Sequence, residues 1–279
     1  MTAPAPLGYV SALWRYPVKS MAGEKLDACE VTERGLLGDR GYALVDEATG
    51  VIASAKNPRT WTDLLAFRAE FTDLPRPGDV LPPVRITFPD GRVTTSTDSA
   101  GKELSAAIGR RVALSARPPE RPVLQQFWPD LDETGGGEAV TDEAMPAGTF
   151  FDLALVNLLA CTTLDRLSVS HPHGLFDVRR FRPNIVVAPE PSAGGDPEEQ
   201  WVSRTLTIGD RLRLRVDARC SRCVMTTLPQ GGLPRDIRIL RTVVRANGGF
   251  AGLNTSVVQP GVIRVGDPVR FADTVEPLS

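Results

Sequence analysis

Two cysteines in the last third of the chain, Cys220 and Cys223, have the residue type and spacing to bind a soft metal ion. A zinc site would need a second such pair or a nearby histidine, and the surrounding sequence offers neither. A thioredoxin-type dithiol would open a helix, whereas this pair follows a strand-like segment. Arg219 and Arg222 flank the pair and are expected to lower the pKa of Cys223. The resulting thiolate suits a soft metal–sulfur centre, so Cys223 is the candidate metal ligand.

Strand register gives the two thiols different predicted roles. Residues 211–218 alternate strictly, with apolar residues at even positions and charged residues at odd ones. This alternation indicates a strand with one buried face, entered through a tight Gly-Asp turn at residues 209–210. Cys220 continues the even positions and is therefore predicted to be a small core residue. Cys223 lies beyond the strand, where its thiol can face a ligand.

Cations at three further places have the chemistry to bind an anion. Lys19 and Ser20 end the first strand, and Lys19 is one of only four lysines among the 32 basic residues. Arg40 stands in a glycine-framed turn, where the backbone can approach a ligand closely. Arg182 directly precedes a buried strand, so its guanidinium needs a partner there. That partner is either a carboxylate of the protein or the phosphate of a ligand.

Other sequence patterns that often carry chemistry are not expected to do so here. The only histidines, His171 and His173, lie in a predicted turn without an obvious third metal ligand. Residues 130–135 open like a calcium-binding loop, but Thr141 stands where that loop needs a bidentate glutamate. The three glycines at 135–137 lack the strand–helix context of a dinucleotide-binding fingerprint.

The elements that must position the candidate residues are predicted to be mostly strands. In the first half, strands are expected at residues 9–16, 30–33 and 42–45, and a hairpin at 84–95. Turn signals every 8–12 residues favour a barrel or sandwich over a doubly wound sheet. A short helix is expected at 99–108, and the proline-rich residues 117–122 are predicted to be a linker.

The second half is predicted to be mainly β with one clear helix. The sequence indicates a polar surface loop at 125–148, a helix at 155–167, a buried strand at 183–188 and a loop at 189–199. A hairpin is expected from residues 205–208 and 211–218, and a second one at 262–271. Two such hairpins again suggest a barrel. The fold class is therefore mainly β with a few helices (α+β).

Composition bounds the class of protein. The 279 residues are 42% hydrophobic and 24% charged, which is typical of one large or two modest soluble domains. The net charge of −2 provides no field to attract nucleic acid or an anionic membrane. The apolar stretch at 153–164 is too short to span a bilayer, and no signal peptide is recognisable. Four cysteines, expected to be reduced thiols, favour a cytoplasmic protein.

Five motifs, in this order, closely resemble those of the MOSC-domain proteins: Tyr16-Pro-Val-Lys-Ser20, Gly38-Asp-Arg40, Phe181-Arg-Pro-Asn-Ile185, Cys220-x-x-Cys223 and Pro260-Gly-x-Ile-x-Val-Gly-Asp-Pro-Val269. The resemblance implies a MOSC N-terminal β-barrel domain at residues 1–118 and a MOSC β-barrel domain at 123–275. It also points to mitochondrial amidoxime-reducing components and to a bacterial reductase of N-hydroxylated bases as functional relatives.

The resemblance further implies a molybdenum cofactor (molybdopterin) and the residues that bind it. Cys223 is expected to ligate molybdenum and to be the catalytic residue. The pterin phosphate and its surroundings are expected to be held by Lys19, Ser20, Arg40 and Arg182, with Asn184 on the same segment. A hydroxyl near the start of the predicted helix is also expected, and Thr163 supplies it, while Ala160 replaces a second one.

Two departures from the family pattern bear on function. Many relatives follow the cysteine motif with an Asp-Pro-x-Thr-Gly turn, where this chain has Leu228-Pro-Gln-Gly-Gly232. This loop is expected to border the site, so the family pattern does not fix the identity of the substrate. The bacterial reductase carries a C-terminal ferredoxin-like domain, whereas this chain ends at Ser279 with too few cysteines for another iron–sulfur module. Electrons are therefore expected from a separate donor protein.

Three hypotheses follow. The first is a molybdenum-dependent oxidoreductase that removes oxygen, with two electrons, from an N-hydroxylated small molecule. The second is a binding module that holds the cofactor, or carries sulfur as a Cys223 persulfide, without turning over a small substrate. The third is a structural barrel whose CxxC cysteines are merely buried. Under the first, the partners are a small-molecule substrate and the electron donor, without nucleic acid or membrane.

Overall fold

The computed structural model describes residues 5–97, 99–131, 137–191 and 196–272. A 3-10 helix at Leu64–Ala66 and the helix α1 at Ala100–Ile108 interrupt the strands of the first part. These strands are β1 Gly8–Arg15, β2 Glu24–Leu26, β3 Ala28–Thr32, β4 Gly35–Leu36, β5 Ala43–Asp46, β6 Arg68–Phe71, β7 Val84–Thr87, β8 Val93–Thr95 and β9 Val112–Ser115.

The rest of the chain adds further strands and short helices. The strands are β10 Val123–Trp128, β11 Ala139–Ala144, β12 Val156–Ala160, β13 Ile185–Pro189, β14 Thr205–Ile208, β15 Leu212–Ser221, β16 Phe250–Gln259, β17 Gly261–Arg264 and β18 Pro268–Phe271. The helices are α2 Cys161–Ser170, α3 Val178–Phe181, α4 Pro197–Trp201, a 3-10 helix at Val224–Thr227 and α5 Ile237–Asn247.

Among the described residues, seven strands close a barrel in the order β13-β12-β16-β15-β14-β18-β1. The pairing of β1 with β13 closes it, with Leu13 opposite Ile185. Apolar residues at alternate positions fill the interior, including Leu206, Leu212 and Leu214, which are completely buried. Burial of one face of β14 and of the first half of β15 is the alternation that the sequence showed. The predicted fold class, mainly β with a few helices, is confirmed.

Smaller sheets form a second apolar core, mostly from residues of the N-terminal half, which Val224, Met225 and Leu228 complete. Strands β7 and β8 form the hairpin that the sequence predicted, and β7 also pairs with β6. The buried residues of these strands pack with Trp61 and Phe67, and with Leu104 of α1. Strand pairing crosses between the two halves, because β1 belongs to the barrel and β3 pairs with β17. The domain bounds 1–118 and 123–275 stay a prediction.

The predicted helix at 155–167 is wrong in its first half. Residues Val156–Ala160 form β12, and α2 begins only at Cys161. Strand β12 lies between β13 and β16, and Val156, Leu158 and Leu159 are all fully buried. A strand covered on both faces is apolar without alternation, so its sequence resembles a buried helix.

Three other predictions need correction. The second hairpin does not form, because β17 pairs with β3 whereas β18 pairs with β14 and β1. The surface loop at 125–148 instead contains the antiparallel pair β10–β11. Residues 132–136, which include part of the acidic loop and two of the three glycines, lie outside the described residues. The loop predicted at 189–199 ends earlier than expected, because α4 starts at Pro197 after an Asp196 N-cap.

The alternation of the β14–β15 hairpin ends before the cysteines. The predicted turn and register are confirmed as far as Val216. Register shifts after Val216 and again after Arg219 then break the alternation. Each extra residue at such a bulge reverses which face the following side chains occupy. Ala218 is exposed and Cys220 only half-buried, so the prediction that Cys220 is a core residue is wrong.

The helices of the described part of the chain are all too short or too polar to cross a membrane.

Candidate functional site

A cavity of about 220 Å³ lies where the ends of β13 and β15 meet the N-terminal sheets. Four of the predicted site residues line it together, although they are distant in sequence: Arg40, Arg182, Asn184 and Cys223. Lys19, Ser20 and Thr163 do not line it. The cavity therefore brings the thiol of Cys223 together with both arginines that were predicted to bind the phosphate, Arg40 and Arg182.

The thiol of Cys223 is held at the start of the 3-10 helix that follows β15. The carbonyl of Cys223 accepts hydrogen bonds from the N–H and the hydroxyl of Thr226, at 3.2 and 3.0 Å. Arg180, almost completely buried, donates to the carbonyls of Thr226 and Leu228 at 3.1 and 3.2 Å. A guanidinium that binds backbone carbonyls in this way fixes the loop, so Arg180 positions Cys223 without needing a carboxylate partner.

Burial raises the pKa of Cys223 above its ordinary value. The ammonium of Lys56 and the N–H of Met225 oppose this shift more strongly than Arg222 does. Arg222 donates to the carbonyls of Ala251 and Phe181, and Arg219 to the side chain of Asn247. Arg222 does lower the pKa of this thiol, as predicted, but burial outweighs it, so the expected net lowering is wrong. The cofactor-free protein keeps Cys223 protonated at neutral pH, and a bound metal would displace that proton.

Alkylation should report this protonation state. We expect Cys223 of the cofactor-free Cys220→Ser variant to react slowly with iodoacetamide near neutral pH. Its rate should rise about tenfold per pH unit, up to and beyond pH 9.0, the ordinary thiol pKa, because only the thiolate attacks. Mass spectrometry of the peptide measures the rate. Cys29, whose pKa burial raises to about 11, is the internal reference. Fast, pH-independent alkylation near neutrality would contradict the raised pKa.

The CxxC pair is not arranged as a redox dithiol. Cys220 belongs to β15, and Cys223 has an extended backbone with φ −123° and ψ −175°. Both cysteines are free and both line the cavity. A redox dithiol begins a helix, which brings its two sulfurs together, whereas an extended chain separates residues three apart. Cys220 and Cys223 therefore line the cavity as two separate thiols.

Two arginines of the cavity wall share one aromatic ring. The guanidinium carbons of Arg40 and Arg182 lie 4.5 and 4.1 Å from the ring centroid of Tyr16. Arg182 donates to the carbonyl of Met21 at 2.8 Å, and no carboxylate of the described residues forms an ion pair with it. Burial, reinforced by the charge of Arg40, lowers the pKa of Arg182 to about 10. Burial also raises the pKa of Tyr16 to about 12. Such a pair of buried cations favours an anionic ligand.

Asp39 is the carboxylate that orders this cluster. Its completely buried side chain forms an ion pair with Arg40 and accepts hydrogen bonds from the N–H of Tyr16 at 2.8 Å and from Asn184 at 2.9 Å. The amide oxygen of Asn184 in turn accepts from the N–H of Asn157 at 3.1 Å. Asn184 thus lines the cavity with its polar atoms already in use, and it links the Asp39 turn to β12.

Lys19 and Ser20 lie behind the cavity wall. The ammonium of Lys19 donates to the carbonyl of Phe150 at 2.9 Å and pairs with Asp152. The hydroxyl of Ser20 accepts from the N–H of Ala55 at 3.0 Å. Burial lowers the pKa of Lys19, with Asp152 opposing. Lys19 therefore acts on the cavity through Asp152, which does line it.

Lys56 completes an ion triad around Asp152. Its Nζ atom lies 3.3 Å from Oδ2 of Asp152. Burial by itself would raise the pKa of Asp152, but the ammonium groups of Lys19 and Lys56 outweigh it and hold that pKa well below its ordinary value. Two of the four lysines thus converge on one carboxylate at the cavity, whereas Lys25 and Lys102 are exposed.

Backbone strain concentrates at the predicted site. Within the described residues, positive φ occurs at five non-glycine positions, and three of them are Ser20 at 62°, Arg40 at 48° and Arg182 at 51°. Side chains other than glycine rarely adopt this region, and each such residue costs about 1–3 kcal/mol. Strain of this kind persists where the surrounding structure imposes it, and it clusters at ligand-binding sites.

Thr163 is not brought to the cavity. It is fully buried in the first turn of α2, beside Glu198. The carboxylate of Glu198 accepts hydrogen bonds from the N–H groups of Ala160 and Gly252, at 2.9 and 2.6 Å. Burial raises the pKa of Glu198, and these two N–H groups oppose the shift. The region around Thr163 joins α2, α4 and β16, and the role predicted for its hydroxyl stays a prediction.

Sequence reasoning missed three site residues as functional candidates: Asp39, Lys56 and Asp152. Asp39 stood inside a motif, next to Arg40, so its place in the site was within reach. Lys56 carried a weaker signal, the rarity of lysine in this chain. Asp152 had no signal, because Lys19 lies 133 residues before it and Lys56 is also far away in sequence, and they meet only in the folded chain.

Comparison with known proteins identifies the family. The family model for the MOSC N-terminal beta barrel domain matches residues 7–74, and that for the MOSC domain matches residues 151–270. The chain is therefore a MOSC-domain protein with an N-terminal MOSC beta barrel domain, as the ordered motifs predicted.

Among curated proteins, the chain is similar to mitochondrial amidoxime-reducing components. It is 26% identical to mitochondrial amidoxime-reducing component 1 of Mus musculus, over 94% of this chain and 82% of that protein. It is also 26% identical to mitochondrial amidoxime reducing component 2 of Rattus norvegicus, over 96% of this chain and 84% of that protein. The solved structure of the YUAD protein from Bacillus subtilis is 10% identical, with a TM-score of 0.47 over 94% of this chain and 93% of that one.

Proposed function

We propose that this protein binds molybdenum cofactor with Cys223 as the metal ligand and reduces N-hydroxylated small molecules. One observation carries the proposal: the thiol shares its cavity with Arg40 and Arg182, two buried cations held over one tyrosine ring. The names of the relatives above, amidoxime-reducing components, supply the reaction class.

The residues present fit the cofactor. A phosphorylated pterin dithiolene needs fixed cations for its phosphate and one more soft anionic ligand for its metal. Arg182 uses one N–H on the carbonyl of Met21, which leaves donors of its guanidinium for a phosphate. No three metal-binding side chains cluster within the described residues. A single protein thiolate, from Cys223, matches a metal whose other ligands come with the cofactor.

The chain's own residues divide the work of binding. Arg40 and Arg182 would hold the phosphate, and Asp39 and Asn184 keep Arg40 in place. Lys19 and Ser20 fix the turn behind Arg40, with Ser20 anchored to Ala55. When bound, the cofactor would supply the metal and the two electrons for removal of oxygen from the substrate.

The overall reaction defines the partners. Reduction of an N–OH group to N–H consumes two electrons and two protons and releases one water molecule. Within the described residues no cluster of metal-binding side chains offers a second redox centre. The electrons would therefore come from a separate donor protein, and the substrate is a small molecule that enters the cavity beside Cys223.

Elemental analysis and a turnover assay test the proposal together. We expect near-stoichiometric molybdenum in protein purified from a host with intact cofactor synthesis. We also expect reduction of benzamidoxime to benzamidine when a chemical or protein electron donor is supplied. Molybdenum without reduction of any N-hydroxylated compound would leave a cofactor-binding module. Molybdenum-free protein that carries a persulfide on Cys223, identified by mass spectrometry, would instead support sulfur transfer.

A further inference from the structure

Lys56 lines the cavity but is not one of the residues proposed to bind the cofactor. It follows β5 in the N-terminal half, and its carbonyl accepts a hydrogen bond from the N–H of Phe127 in β10 at 2.8 Å. The neighbours of Phe127, Gln126 and Trp128, line the cavity together with Lys56. The ammonium of Lys56 is thus carried by a hydrogen-bonded backbone of the N-terminal half, whereas Cys223 follows β15.

The ammonium has donors to spare. It can donate three hydrogen bonds, and the partner that the described residues give it is Oδ2 of Asp152 at 3.3 Å. The other carboxylate oxygen of Asp152 is paired with Lys19. The triad therefore has a net charge of +1. Lys56 is its more accessible cation, since 18% of the Lys56 side chain is exposed against 4% for Lys19.

Within the cavity, Lys56 has different principal neighbours from the arginine pair. Its electrostatic neighbours are Asp152 and the thiols of Cys223 and Cys220. Arg40 and Arg182 interact most strongly with Tyr16 and Asp39, and less strongly with Asp152. These two arginines are the residues suited to the cofactor's phosphate. An anion that meets Lys56 is therefore close to the thiol that would bind the metal, which is where a substrate reacts.

The residues that follow Phe127 and Asp152 in the chain give the cavity an apolar rim. Trp128 and Leu153 line the cavity and are 46% and 70% exposed. Large apolar side chains that remain exposed beside a cavity are suited to contact the body of a ligand. The rim and the ammonium together describe a ligand with an apolar or aromatic part and a negative charge.

We infer that Lys56 binds an anionic group of the substrate, so that this protein prefers N-hydroxylated compounds that carry a carboxylate or similar anion beside an apolar body. The inference rests on the proposed function and adds the substrate class to it. Cationic substrates would face the like charge of the triad and are disfavoured.

Three aromatic amidoximes of different charge test this preference. They are benzamidoxime, its para-carboxylate and its para-aminomethyl derivative. In Lys56→Gln we expect the ratio of kcat/KM for the carboxylate to that for neutral benzamidoxime to fall about tenfold, mainly through KM, because a hydrogen-bonded charge contact is lost. Lys56→Arg should restore much of the ratio. Lys102→Gln, the same change at an exposed lysine of α1, should match the wild type.

Binding without turnover separates this inference from the proposed function. Calorimetry on the purified oxidised protein, with no electron donor, measures the Kd of the para-carboxylate for each variant. We expect about tenfold weaker binding in Lys56→Gln and unchanged molybdenum content. An unchanged Kd and an unchanged kcat/KM ratio would overturn the inference. Loss of molybdenum in Lys56→Gln would also overturn it, by assigning Lys56 to the cofactor. Charge-dependent binding without any reduction would refute the reductase and leave the anion site standing.

Discussion

Replacement of Cys223 by serine is expected to lower the molybdenum content of the purified protein by more than about tenfold and to abolish reduction of N-hydroxylated substrates. The physical reason is the ligand atom. An uncoordinated serine hydroxyl is far harder to deprotonate than a thiol and is a hard donor, whereas molybdenum held by dithiolene sulfurs favours a soft thiolate. The cavity cations cannot compensate, because under the proposed function Arg40 and Arg182 would bind the phosphate and not the metal.

The fold should survive this change. Cys223 is partly exposed, and the loop that carries it is fixed through backbone groups, chiefly by Arg180. We therefore expect circular dichroism and the free energy of unfolding of the cofactor-free Cys223→Ser protein to match the wild type closely. Cys220→Ser and Cys161→Ser are matched controls with the same atom change, and both should retain metal. Wild-type molybdenum content and turnover in Cys223→Ser would refute ligation by this cysteine.

Local patterns predicted the parts of the fold that depend on a single buried face. The β14–β15 hairpin follows directly from the alternation at residues 211–218, since only a half-buried strand produces it. The central strand β12 could not be recognised, because burial on both faces removes the alternation. The partner of β17 could not be recognised either, since β3 lies more than 200 residues earlier in the chain.

The candidate site was predictable to the extent that its residues stood in motifs. Arg40, Arg182, Asn184 and Cys223 were chosen from sequence and line one cavity. Their counter-charges were not predictable, because an ion pair between Lys56 and Asp152 depends on how two distant loops meet in space. Strand bulges had the opposite effect on Cys220, moving it from an expected core position to the cavity wall.

Two neighbouring positive charges make the site energetically unfavourable. Arg40 and Arg182 lie over the same ring, and Asp39 is the carboxylate that pairs with either of them in the described structure. Holding two guanidinium groups together out of water is unfavourable unless an anion joins them. The positive φ angles of Arg40 and Arg182 add to that cost. We infer that the cofactor-free site is held in shape largely by Asp39.

Substitution of Asp39 by alanine is therefore expected to reduce the free energy of unfolding of the cofactor-free protein by about 3–5 kcal/mol, the range seen when one partner of a buried ion pair is removed. It would leave Arg40 without its carboxylate and the N–H of Tyr16 without its acceptor. Denaturant unfolding measures the change. Asp90→Ala, which removes an exposed carboxylate paired with Arg92 at 2.8 Å, is the matched control and should leave the stability nearly unchanged.

An added anion should distinguish loss of charge balance from simple loss of packing. If the two arginines repel each other once Asp39 is gone, inorganic phosphate will bind between them and raise the Tm of Asp39→Ala more than that of the wild type. Asp39→Asn, which keeps the size of the side chain but not its charge, should show the same phosphate response. A destabilised Asp39→Ala that phosphate does not rescue, with an Asp39→Asn as stable as the wild type, would show that Asp39 acts through its shape and hydrogen bonds alone.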